Sequence, residues 1–98
     1  MKTVFKYSLS LVAHQTIRVP EGIRILSVQM QQDTIQMWGL VDDKATNRNL
    51  EILIFGTGHD IIDGDDLMYL GTLQPRTGML VWHVFAKNDR NYAKIVKL

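Results

Sequence analysis

Apolar residues in this chain recur at every second position, and that period decides most of what the chain can fold into. In "TVFKYSL", Phe5, Tyr7 and Leu9 fall on one face while Lys6 and Ser8 fall on the other. "QTIRV" sets Ile17 and Val19 against Thr16 and Arg18, and "TIQMWGLV" sets Ile35, Met37 and Val41 against Gln36, Trp38 and Leu40. "IRILSVQMQ" places Arg24, Leu26, Val28 and Met30 opposite Ile25, Ser27 and Gln29. In "MLVWHVFAK", Leu80, Trp82, Val84 and Ala86 alternate with Val81, His83, Phe85 and Lys87. Strict alternation marks strands with one buried and one wet face. "LEILIF" is apolar on both faces around Ile52 and Ile54, as a central strand requires.

Turn chemistry agrees with the period. Pro20-Glu21-Gly22, Gln32-Asp33, Asp42 to Thr46 and "QPRTG" (Gln74 to Gly78) punctuate the strands. The only helix signal is a single turn near Asp65 to Tyr69. The expected fold is all-β: a small antiparallel sandwich or barrel-like domain of about seven strands, with at most one short helical turn.

Ninety-eight residues make one domain. Residues 1–86 form the β domain, and 87–98 read as a C-terminal extension whose Tyr92, Ile95, Val96 and Leu98 need a surface to cover. A small core and an apolar tail together predict a homo-oligomer. Eleven Lys/Arg against ten Asp/Glu leave a formal charge of +1, which gives no field for a nucleic-acid polymer. With no cysteine, zinc knuckles, iron–sulfur sites and a thiol nucleophile are excluded. The apolar run Leu11-Val12-Ala13 follows Ser8 and Ser10 and is too broken for a signal peptide. No stretch has the length of a membrane span, so the expected location is cytoplasmic.

Four features could carry chemistry. "FGTGH" (Phe55 to His59) flanks Thr57 with Gly56 and Gly58, which permits close backbone approach to an anion. It lacks the Gly-Lys-Ser/Thr of a Walker loop and the third glycine of a dinucleotide fingerprint, so a plain turn competes with a binding loop. "DIIDGDD" gathers Asp60, Asp63, Asp65 and Asp66 without the ligand order of a calcium loop, and no metal or other cofactor is expected. His14, His59 and His83 show no recognisable triad; "HQT" at His14 is half of a paired His-x-Thr arrangement whose second copy is absent. Trp38 and Trp82 are strand residues that either pack in the core or stack on a purine base, and Arg24, Arg48 or Arg76 could then meet phosphates.

The opening "MKTVFKYSL", the strand "PEGIRILSVQ", "GTGH", "YLGT" and the closing "HVF" resemble a family of small, mostly uncharacterised phage and prophage proteins. The likeness spans roughly residues 1–86, and members end shortly after the phenylalanine matching Phe85. The resemblance implies a phage-encoded cytoplasmic protein that acts by binding. By analogy with compact oligomers of similar size, it implies a sponge for nucleotide-derived host immune signals of the CBASS or Thoeris type. The expected site is Gly56, Thr57, Gly58 and His59, with Trp38 or Trp82 stacking and Arg48 or Arg76 adding charge. A module that inhibits a host enzyme by protein–protein contact is the alternative, and a small nucleotide hydrolase using His59 and a nearby aspartate is the third reading.

Overall fold

The computed structural model describes residues 1–61, 66–75, 80–87 and 96–97. The strands are β1 (Lys2–Leu9), β2 (His14–Pro20), β3 (Arg24–Gln31), β4 (Thr34–Asp42), β5 (Asn47–Gly56), β6 (Leu67–Leu73), β7 (Trp82–Lys87) and β8 (Val96–Lys97). They form two four-stranded sheets, ordered β1-β4-β3-β8 and β2-β5-β7-β6. Every pairing among β1 to β7 is antiparallel, and β8 adds a short parallel contact beside Arg24 and Ile25. The fold is all-β, as the alternation predicts, and the described residues contain no α-helix.

The inward faces are those the alternation sets apart. Ile35, Met37 and Val41 of β4 meet Leu50, Ile52 and Ile54 of β5 and Val84 and Ala86 of β7 in one continuous core. Fully burying an aliphatic side chain such as Ile52 contributes about 1.5–3 kcal/mol, so the cluster carries most of the fold's stability. "LEILIF" does lie in a central strand, flanked by β2 and β7.

Two local readings are corrected. The pairing of β3 with β4 shifts between Ile25 and Ser27, so a bulge at Leu26 resets the alternation. Ile25 and Val28 both become buried core residues, and Leu26, expected on the face of Val28, is only half-buried. Of the helical turn expected near Asp65 to Tyr69, Asp66 is in 3₁₀ conformation and Asp65 lies outside the described residues, but Leu67, Met68 and Tyr69 are strand, paired with Lys87, Ala86 and Phe85. Those ladder bonds outweigh the local helix signal.

Two short links set the geometry. Gln32 and Asp33, at φ of 49° and 65°, make the two-residue turn between β3 and β4, with Gln31 opposite Thr34. Pro20-Glu21-Gly22 carries the chain from one sheet to the other: Gly22 has φ 81°, and the Ile23 N–H bonds the Pro20 carbonyl at 3.3 Å.

Candidate functional site

The segment "GTGH" leaves β5 as a tight turn. The His59 N–H bonds the Gly56 carbonyl at 3.1 Å, and Gly58, third of the four residues, has φ 88°. That is the type II arrangement, whose third position favours glycine. The His59 ring folds back over Gly56 and accepts the Gly56 N–H on Nδ1 at 3.2 Å. With Nδ1 an acceptor, the neutral ring carries its proton on Nε2 and presents a donor there. A Cβ on Gly56 would stand 2.8 Å from His59 Cε1, so the ring fills the space a side chain would take. On the other side, the Thr57 N–H bonds the Val81 carbonyl at 3.1 Å. Three of the turn's four N–H groups are therefore bonded, two within the turn and one to Val81. A phosphate cradle built from all of them is not available; the Gly58 N–H and the side chains are the groups left to meet a ligand.

Beside the turn lies an open pocket of about 180 Å³ lined by Leu11, Val12, Ala13, Ile54, His59 and Trp82. Its floor is fixed by the Ile54 N–H bonding the Ala13 carbonyl at 3.1 Å. The His59 and Trp82 rings meet edge-on, with centroids 6.3 Å apart and planes at 72°. Typical small-molecule pockets enclose about 300–1,000 Å³, so this one suits a single flat ring with the rest of the ligand outside. Exposed Ile61 and Leu80, with Leu11 and Val12, give the same end of the sandwich an apolar rim.

The outer face of the β5–β7–β6 portion carries a hydrogen-bonded chain. Thr57 Oγ1 lies 2.8 Å from His83 Nε2, His83 Nδ1 lies 3.1 Å from Thr72 Oγ1, and Thr72 Oγ1 bonds the Tyr69 hydroxyl. Phe85 stands next to it, in edge contacts with Phe55 at 5.9 Å and Tyr69 at 5.7 Å. "GTGH", "YLGT" and "HVF", far apart in the chain, thus converge on one patch. Thr72 and Tyr69 are site residues that the reading of single motifs missed; the threonine and tyrosine of "YLGT" were the available signal.

The structure brings Gly56, Thr57, Gly58, His59 and Trp82 together. Trp38 is elsewhere: it faces outward on β4 of the other sheet, paired with Lys6 and Ser27. Arg48 sits at the opposite end of β5, about 26 Å from Gly56 at the usual strand rise, and its guanidinium is 3.7 Å from Glu21. Arg24 is an exposed residue of β3. Arg76, Asp63 and Asp65 lie outside the described residues, while Asp60 and Asp66 are exposed. His14 bonds Glu51 at 3.1 Å on the outer face. Among the described residues no three His, Asp or Glu side chains gather to hold a metal ion, and no helix is long and apolar enough to cross a membrane.

A family model described as "Domain of unknown function (DUF7352)" matches residues 1–94, which extends past Ala86 into the C-terminal segment. No curated protein and no solved structure matches the chain.

Proposed function

The chain belongs to the DUF7352 family, and we propose that it is a binding protein whose end pocket takes the base of a small nucleotide-derived molecule. The observation that carries this reading is the His59–Trp82 corner. An imidazole locked by the Gly56 N–H offers one Nε2 donor beside an indole and the apolar wall of Leu11, Val12 and Ile54. A purine supplies a matching flat face and ring-nitrogen acceptors. The sugar and phosphates project into solvent or toward a second copy, since Arg48 is too far away to meet them. In the phage setting that the resemblance implies, the bound molecule is a host immune signal and the protein sequesters it unchanged in the host cytoplasm.

The apolar rim of Leu11, Val12, Ile61 and Leu80 supports self-association at this end, which would deepen the pocket. The same rim supports the second reading, a module that caps a host protein. Incubation with host nucleotide extract, heat release and mass spectrometry separates the readings. Stoichiometric return of an unchanged nucleotide is expected from wild type and Trp38→Ala, and not from Trp82→Ala. Retention of no small molecule would refute the pocket reading and favour the protein partner.

A further inference from the structure

The chain Thr57–His83–Thr72–Tyr69 is not used by the pocket, which lies on the other side of the same turn. Thr57 has one hydroxyl proton and two acceptors within reach: the Val81 carbonyl at 3.4 Å and His83 Nε2 at 2.8 Å. The carbonyl already accepts the Thr57 N–H at 3.1 Å. In the tautomer that leaves Nε2 bare, the shorter contact takes the Thr57 proton and Nε2 is the acceptor. His83 then carries its ring proton on Nδ1 and donates it to Thr72 Oγ1, which shares a hydrogen bond with the Tyr69 hydroxyl.

A hydroxyl bonded to an imidazole, with the imidazole oriented by a third group, is the arrangement that activates an oxygen nucleophile. Access is also present. Thr57 is exposed, and nothing lies within 4 Å of where a Cβ on Gly58 would stand. The Gly58 N–H, next in the chain, donates to no acceptor among the described residues. Phe55 pairs directly with His83 across the sheet, and with Phe85 it offers an apolar wall for an acyl group.

We propose that Thr57, with His83 as its base, forms a second site on this face that hydrolyses small carboxylic esters. Thr57 Oγ1 bonds to the carbonyl carbon as its proton passes to His83 Nε2. The carbon–oxygen bond to the alcohol breaks, and the departing oxygen takes that proton. Water then adds to the acyl-threonine, giving a proton to Nε2; Thr57 Oγ1 leaves and recovers it, and the carboxylic acid is released. The Gly58 N–H is the nearest backbone donor for the negative charge that builds on the carbonyl oxygen. Thr72 is a positioning residue that holds the Nδ1–H tautomer.

The test is turnover of p-nitrophenyl acetate by the full chain, with peptide mass spectrometry of the quenched protein. Acetylation of Thr57 is expected in wild type and in Trp38→Ala, with none at that position in Thr57→Val. His83→Gln should slow acetylation about 10²–10⁴-fold, the usual contribution of a general base. Absence of acetyl-Thr57, or equal turnover by Thr57→Val, overturns the proposal. The ¹⁵N spectrum of the wild-type imidazole gives a check that needs no variant: protonated Nδ1 and bare Nε2 are expected at His83, and a proton on Nε2 in the neutral ring overturns the assignment. Loss of nucleotide retention would leave these outcomes unchanged, since the two sites share only the turn.

Discussion

Gly56→Ala tests whether the turn is held by its histidine. The new methyl carbon would stand 2.8 Å from His59 Cε1, 3.1 Å from Nδ1 and 3.2 Å from Nε2. With three ring atoms crowded at once, the ring must swing away from Gly56. That removes the Gly56 N–H bond to Nδ1, worth about 0.5–1.5 kcal/mol. It also removes the edge contact with Trp82, worth about 0.5–1.5 kcal/mol. The alanine gains about 0.4–1 kcal/mol by restricting the unfolded chain, since Gly56 is not among the residues at positive φ. The net expectation is a loss of about 0–2.6 kcal/mol, with a centre at about 1.3 kcal/mol. In a His59→Ala background the ring is gone, and the same substitution should be neutral or stabilising. Urea denaturation of wild type, the two single variants and the double variant gives the coupling directly. An equal cost of Gly56→Ala with and without the His59 ring would refute the account.

Replacing Gln32-Asp33 by Asn-Gly should raise stability by about 1 kcal/mol, because both residues hold positive φ in a two-residue hairpin link; an unchanged thermal midpoint would count against that turn geometry. Burial raises the pKa of the Tyr7 phenol, whose hydroxyl has no partner among the described residues, so Tyr7→Phe should be neutral or stabilising in urea denaturation. A loss of about 1 kcal/mol or more would reveal a partner for it. The Lys44 N–H, bonded at 3.1 Å, and then the terminal ammonium hold the Asp42 carboxyl below its ordinary range. A depressed native pKa stabilises the fold above the unfolded value and is lost as pH falls through the native one; NMR titration should place Asp42 below about 3.9.

What the sequence made legible follows from period. Alternation in β4, β5 and β7 identified Ile35, Met37, Ile52, Val84 and their neighbours, because a half-buried strand writes its burial into every second residue. At Leu26 the alternation misled, since a bulge is a pairing event between strands and leaves no period in one of them. The site behaves the same way. Gly56 to His59 could be found as a glycine-bracketed motif, and Trp82 as one of two tryptophans. That His59 meets Trp82 while Trp38 faces away depends on which sheet each strand joins. Likewise, Thr57, Thr72 and His83 become neighbours only through the pairing of β6 with β7 and of β5 with β7.

The sheet order also has a temporal side. β1 and β2 are consecutive, yet they enter different sheets and pair with β4 and β5. The local partnership of β3 and β4, closed by two residues, can form within about 1–10 μs. β2 must instead wait for β5, which on a ribosome adding about 5–20 residues per second leaves Ile17 and Val19 uncovered on the order of seconds. β1 finds its partner once β4 has emerged, whereas the sheet that β2 enters is complete only after β7, so β2 is the strand that waits longest for cover.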